Sequence, residues 1–103
     1  MKILFVGDVV GRAGRGLLKK HLARIKVEHQ VELTIVNVEN TAGGFGITKA
    51  LGEKILRYGV DVMTSGNHIW DKKEVYEYFS EQPRLLRPGN YPPGTPGNYL
   101  YVA

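Results

Sequence analysis

The sequence contains no cysteine among its 103 residues. This absence excludes a disulfide framework, a thiolate zinc site and a cysteine nucleophile. Because disulfides belong to oxidising compartments, we expect a cytoplasmic protein. Long hydrophobic runs are also absent. The apolar run at 3–6 is too short for a signal-peptide core, and no run approaches the roughly 18 residues of a membrane span. We therefore expect no contact with a membrane.

The residues that are present are typical of one globular domain, with 43% hydrophobic and 23% charged residues. The net charge is +4, from 14 basic and 10 acidic residues. Six of the basic residues follow one another without an intervening acid: Arg12, Arg15, Lys19, Lys20, Arg24 and Lys26. This stretch is either the solvated face of a helix or a contact for phosphate or RNA through Arg12, Arg15 and Lys19.

Apolar periodicity predicts alternating strands and helices. The predicted strands cover 2–7, 32–38 and 60–64, and the predicted helices cover 13–27, 48–58 and a segment that begins at Asp71. We expect Thr48 to cap the second helix and Gly59 to end it, while Asp71 and Glu74 form a capping-box pattern for the third. This order predicts an α/β fold with a mostly parallel sheet and flanking helices.

The end of the chain has a different pattern. A short strand is predicted at 85–87, a loop at 88–97 and a last strand at 98–102, with the last two strands forming a hairpin or an antiparallel edge. A parallel sheet needs cover on both faces, and no helix follows the last strand. We therefore expect 1–103 to be a single, incomplete domain, the N-terminal portion of a larger α/β sandwich.

Polar side chains follow each of the three parallel strands, where open α/β sheets bind their ligands. Asp8 follows the first strand, Glu39 and Asn40 the second, and Asn67 and His68 the third. Each has an ordinary structural interpretation as a cap, a turn residue or a hydrogen-bonded histidine. A carboxylate directly after a buried strand is nevertheless costly unless it is paired or binds a metal. The convergence of all five favours a functional site.

The residue types at this edge indicate metal chemistry. No serine has the context of a nucleophile elbow, and the glycines at 11–16 lack the ending of a P-loop. Oxygen donors together with an imidazole suit iron, manganese or zinc. Two such metals can clamp a phosphoryl group and activate water. Chemistry alone leaves open which residue would bridge them, although a bridging group should be an anion.

Several motifs resemble those of calcineurin-like metallophosphoesterases, and the closest resemblance is to the YmdB-like bacterial phosphodiesterases. The motifs are Gly-Asp-Val-Val-Gly-Arg at 7–12, Asn-Val-Glu-Asn at 37–40, Ala-Gly-Gly-Phe-Gly at 42–46 and Thr-Ser-Gly-Asn-His-Ile-Trp-Asp at 64–71. The resemblance extends over essentially the whole chain. The wider superfamily has a histidine where Val10 stands, and Gly-Asp where Glu39-Asn40 stands; both changes are the pattern of this branch.

The resemblance implies a metallophosphoesterase-like fold and a role for each residue. Asp8 and Asn40 would hold a first metal, Glu39 would bridge two metals, and Asn67 would hold the second. His68 would donate a proton to the leaving oxygen. The metals would be iron, with manganese or zinc as alternatives. The family also carries later histidine ligands, which nothing here supplies, because His21 and His29 lie on or just after the first helix.

These expectations define a leading hypothesis and an alternative. The leading one is a metal-dependent phosphodiesterase that hydrolyses 2′,3′-cyclic nucleotides, or alternatively 3′,5′-cyclic nucleotides, at a dinuclear centre; this chain alone is then an inactive fragment. The alternative is a non-catalytic nucleotide- or RNA-binding α/β module. An apolar sheet without cover also predicts a homo-oligomer.

Overall fold

The computed structural model describes all 103 residues. The elements, in chain order, are β1 (Ile3–Val6), α1 (Gly11–His29), β2 (Leu33–Asn37), α2 (Lys49–Arg57), β3 (Val62–Thr64), a 3₁₀ helix (Asn67–Asp71) and α3 (Val75–Glu81). The strands and the first two helices correspond to those predicted from periodicity. The first helix begins and ends two residues beyond its predicted bounds, so that His29 is its last residue.

The three strands form one parallel sheet in the order β1-β2-β3. This arrangement confirms the predicted α/β fold with a parallel sheet. Right-handed crossovers that step in one direction place their helices on the same face of the sheet. The core accordingly lies on that face, where Leu22 of α1 and Ile55 of α2 join Val36 and Met63 of the sheet in one apolar cluster.

The opposite face of the sheet is open to solvent at β1, and we call this part of it the bare face. Its residues include Ile3 and Phe5, which are 56% and 59% exposed. Phe5 is in register with Ile35, so their side chains share this face. A continuous run of four apolar residues, such as that of β1, is typical of a strand covered on both sides. The structure covers only the side of Leu4 and Val6, because both crossover helices pack there.

Capping chemistry fixes the ends of α2 as predicted. Thr48 is the N-cap residue, and its Oγ1 accepts the amide of Leu51 at 3.2 Å. After the helix, Gly59 has a φ of 106°, which favours glycine. Tyr78 of α3 packs against α2 and donates its hydroxyl to Glu53. Burial, and then the Glu53 carboxylate, raise the pKa of the Tyr78 phenol.

The predicted start of the third helix was wrong. Asp71 does not cap α3, which begins at Val75 after Glu74 at the N-cap position, with no side-chain cap bond. Asp71 is instead the last residue of the 3₁₀ helix. The Glu74 carboxylate accepts the amide of Lys49 at 2.9 Å and so joins the start of α2, instead of completing a capping box.

The predicted last strand, 98–102, was also wrong. Leu85 and Leu86 make single parallel bridges to Met63 and Asn98, so neither a hairpin nor an antiparallel edge forms. Side-chain contacts of Arg87 hold this segment in place of a ladder of strand hydrogen bonds. Its guanidinium donates to the carbonyls of Pro88 and Gly97 and lies over the ring of Tyr99, 5.2 Å from the centroid.

None of the helices combines the length and the apolar character that crossing a membrane would require.

Candidate active site

The loops that follow β1, β2 and β3 meet at one end of the sheet, which we call the carboxyl-end edge. Asp8 is the first polar residue after β1 and has a φ of 29°. This left-handed conformation is rare for a residue with a side chain, and such strain is concentrated at functional sites. The Asp8 Oδ1 accepts a hydrogen bond from Asn40 Nδ2 at 2.7 Å. The loops after β1 and β2 are thus joined through side chains.

Backbone hydrogen bonds hold Asn40 in place for this contact. Its carbonyl accepts the amides of Gly11 at 3.0 Å and Gly44 at 2.9 Å. The first bond ties it to the start of α1, and the second closes the glycine-rich loop on itself. Gly44 has a φ of 90°, which a residue with a side chain rarely adopts. The glycines of this loop therefore allow the tight turn that fixes Asn40.

Glu39 joins the loops after β2 and β3. Its Oε2 accepts the backbone amide of His68 at 3.0 Å, and its Oε1 faces Asn37 Nδ2 at 3.4 Å. The carboxylate also packs directly against the backbone of Gly66, where an added Cβ would collide with Oε1. Residue 66 must therefore be glycine for Glu39 to keep this position.

The 3₁₀ helix presents Asn67 and His68, both exposed, at the same edge. The His68 side chain is 46% exposed, and its Nδ1 lies 2.9 Å from Asp71 Oδ2. No hydrogen bond holds the Asn67 side chain, which leaves its amide oxygen open to a ligand. The structure thus brings Asp8 to Asn40 and Glu39 to His68, and it places Asn67 next to the second pair without a contact to the others.

The donor set at this edge suits an oxygen-preferring metal. It consists of two carboxylates, Asp8 and Glu39, and two carboxamides, Asn40 and Asn67. Asn40 uses its nitrogen toward Asp8, which leaves its amide oxygen for a ligand. The cradle that Gly66 provides for Glu39 fits the same interpretation. No group of three or more His, Cys, Asp or Glu side chains is arranged to hold a metal, and half of the expected donors are asparagines.

The basic residues of α1 are partly engaged within the chain. The Arg15 guanidinium donates to the carbonyl of Thr41, and Lys26 donates to the carbonyl of Gly59 at 2.6 Å. Arg24 lies 3.7 Å from Glu28. Arg12, Lys19 and Lys20 of α1 are exposed and make none of these contacts. Arg15 therefore serves the loop beside the site, and the expected RNA contact rests on fewer groups.

Sequence reasoning missed three residues of this region. Gly66 and Asp71 belong to motifs that were noted, but their contacts depend on the loop conformation. Asn37 ends β2 beside Thr64 of β3, and the Oδ1 and Oγ1 atoms of these two residues are buried without a hydrogen-bond partner. Asn37 opens the Asn-Val-Glu-Asn motif at 37–40, and this asparagine at the end of β2 was the signal that could have identified it.

Comparison with known proteins identifies the fold described above. Residues 4–103 match the family described as YmdB-like protein. A crystal structure of a hypothetical protein from Thermus thermophilus superposes with a TM-score of 0.87 and 42% identity, covering 95% of this chain. A structure described as a novel phosphatase, from Mycoplasma pneumoniae, gives 0.86 and 35% identity over 95% of this chain. This is the α/β fold of phosphatase-like proteins.

The chain belongs to the YmdB-like family, as its motifs suggested. A curated relative, the 2′,3′-cyclic-nucleotide 2′-phosphodiesterase of Bacillus subtilis (strain 168), is 44% identical over 97 residues, or 94% of this chain. The chain spans 37% of that relative's length, and 38% and 36% of the two solved structures.

Proposed function

We propose that this chain carries part of the active site of a metal-dependent phosphodiesterase that hydrolyses 2′,3′-cyclic nucleotides, with 3′,5′-cyclic nucleotides as the alternative substrate. The supporting observation is the pair of contacts at the carboxyl-end edge, Asn40 to Asp8 and His68 to Glu39, which join three loops around a set of oxygen donors. The name of the Bacillus subtilis relative supports the substrate class.

In this proposal each donor has a defined role. Asp8 and Asn40 would hold one metal and Asn67 a second, and Glu39 would serve both, because a group shared by two cations should be an anion. Iron is the expected metal, with manganese or zinc as alternatives. When bound, the metal pair supplies charge stabilisation for the phosphoryl group and an activated water.

His68 acts on the leaving group. Its amide is held by Glu39, while its side chain remains 46% exposed and free to meet a substrate. Hydrolysis of a cyclic phosphodiester releases a sugar alkoxide, a poor leaving group that gains from protonation. The protonated ring of His68, an imidazolium, can deliver that proton, and such general acids contribute about 10²–10⁴-fold to the rate.

The test is a chimera in which this chain replaces the matching residues of the Bacillus subtilis relative. The purified chimera should hydrolyse a 2′,3′-cyclic nucleotide, lose that activity in EDTA and regain it when iron or manganese is added. Hydrolysis that continues in EDTA would contradict the proposal. A chimera that folds, holds metal and leaves all cyclic nucleotides intact would also contradict it.

A nucleotide- or RNA-binding module is the second candidate, supported by the exposed cations Arg12 and Lys19 of α1. Such a module would bind nucleotide equally well with and without EDTA. Its affinity would fall steeply with salt because it rests on phosphate contacts. If the chain is a binding module, the variant Lys19→Ala should weaken nucleotide binding. If it belongs to a phosphodiesterase, Lys19→Ala should leave hydrolysis by the chimera unchanged.

A further inference from the structure

The pairing of Asp71 with His68 has a geometric origin in the 3₁₀ helix. A 3₁₀ helix has three residues per turn, so side chains three apart lie directly above one another. Residues 68 and 71 have this spacing within Asn67–Asp71, and Asp71 Oδ2 lies 2.9 Å from His68 Nδ1. This is the one hydrogen bond that the Asp71 side chain makes, and it makes none to the start of α3.

The backbone on which this pair sits is held on both sides. The amide of His68 donates to Glu39 Oε2, and the amide of Ile69 donates to the carbonyl of Gly66 at 3.2 Å. Ile69 is fully buried. The next residue, Trp70, packs its ring against those of Tyr76, Phe79 and Tyr91, with centroids 5.5–5.7 Å apart. The backbone that carries the imidazole is therefore held in place, and the hydrogen bond to Asp71 restricts the remaining rotation of the ring.

A carboxylate accepts hydrogen bonds and has none to donate, so a neutral His68 paired with Asp71 must carry its proton on Nδ1. When the ring is protonated, Nε2 carries the second proton, which is the one that can pass to the leaving oxygen, and the ring then returns to the neutral form with its proton on Nδ1. We propose that Asp71 is a positioning residue for His68, which fixes the ring so that Nε2 is the proton-transferring atom. This inference rests on the proposed function for its role in catalysis, but the pairing itself is independent of that function.

The pairing can be measured on this chain without metal or substrate. Heteronuclear NMR of the histidine ring nitrogens, at a pH where the rings are neutral, distinguishes a proton on Nδ1 from one on Nε2. The chain has three histidines, and a His68→Gln variant assigns the signal. We expect His68 to carry its proton on Nδ1, and Asp71→Ala to shift that proton toward Nε2. The matched control Glu77→Ala, which removes an exposed carboxylate of α3, should leave the signal unchanged.

The catalytic consequence is measured in the chimera. Asp71→Ala should lower kcat for a 2′,3′-cyclic nucleotide about 10-fold or more, within the range of a general acid, with little change in KM. The loss should be smaller for a nitrophenyl ester, whose leaving group needs no proton. Asp71→Glu, which keeps the acceptor, should recover part of kcat.

The two sets of results separate the proposals. A His68 ring with its proton on Nε2 in the unmodified chain, or a signal indifferent to Asp71→Ala, would overturn the positioning role whatever the chimera does. An equal loss of kcat on both esters would overturn it as well. If His68→Ala leaves hydrolysis unchanged while the NMR result holds, the catalytic role of the pair fails and the pairing stands as a structural contact. If the chimera itself leaves cyclic nucleotides intact while the NMR result holds, the proposed function fails and the pairing stands.

Discussion

The carboxyl-end edge and the bare face are both open to solvent, but they differ in how far the chain satisfies their chemistry. At the edge, Asn40 donates to Asp8 and His68 donates to Glu39, so polar groups already meet one another. On the bare face, Ile3 and Phe5 are more than half exposed to solvent. The polar groups of the edge are thus held in place by hydrogen bonds, whereas the apolar residues of the bare face remain open to solvent.

The reason lies in sequence distance. Each polar residue of the edge lies within a few residues of the end of a strand, so folding of the sheet brings them together without further elements. A cover for the bare face needs a second apolar layer, and both crossover helices lie on the other side. Residues close to the strand ends can therefore bring the polar groups of the edge together, but they cannot cover the second face of the sheet.

The largest expected effect concerns the isolated chain. Four donors cannot fill the coordination of two metals that take five or six ligands each, so we expect this chain alone to bind metal weakly and to hydrolyse little. Metal titration and turnover should be measured side by side on the chain and on the chimera. Tight binding of two metals by the isolated chain, with turnover equal to that of the chimera, would show that the edge is complete as it stands.

Replacing the imidazole should separate chemistry from structure. In the chimera, His68→Ala should reduce hydrolysis of a cyclic nucleotide by about 10²–10⁴-fold, the usual contribution of a general acid. Metal content should not change. The defect should be much smaller for a nitrophenyl ester. If metal is lost together with activity, His68 is a ligand and not the acid.

The cradle at Gly66 should be sensitive to a single methyl group. Gly66→Ala would push the Glu39 carboxylate from its place, because the new Cβ would overlap Oε1. We expect metal content and hydrolysis by the chimera to fall at least 10-fold, a loss within the range for a displaced catalytic group. The matched control is Gly16→Ala, where a Cβ meets no atom within 4 Å. That variant lies within α1 and should stabilise the fold by about 0.5–1 kcal/mol in a denaturant titration.

The two faces of the sheet should respond differently to the same change. Val36→Thr places a hydroxyl in the fully buried face and should lower the free energy of unfolding by about 1–3 kcal/mol. Phe5→Thr on the bare face should lower it by about 1 kcal/mol or less. Phe5→Thr should also weaken self-association of this chain, as measured by sedimentation. A chain that sediments as a monomer at high concentration before any substitution would contradict the predicted homo-oligomer.

Much of the architecture was accessible from sequence because its signals are local. Apolar runs marked β1 and β2, Thr48 marked the start of α2, and the strand ends marked the edge residues. The covering of the sheet was not accessible. A short continuous apolar run such as Ile3–Val6 has the same pattern whether one face or both are buried.

The region after β3 was predicted less well, for a different reason. Asp71 followed three residues later by Glu74 has the spacing of a capping box, yet the 3₁₀ helix places Asp71 against His68 first. Two short-range bonds competed for one carboxylate, and pattern alone does not decide between them. In the same way, the apolar residues near the end of the chain indicated a strand, while the bonds of Arg87 to nearby carbonyls hold that segment without a ladder.

The central claim is that the carboxyl-end edge holds metals through Glu39, and metal content tests it most directly. Elemental analysis of the purified chimera should be compared with that of its Glu39→Gln variant, with thermal unfolding recorded for both. The substitution keeps the shape of the side chain and removes its charge. We predict two metals per chain in the chimera, and a clear loss in Glu39→Gln at an unchanged unfolding temperature. A Glu39→Gln variant that keeps both metals and full activity would contradict the account.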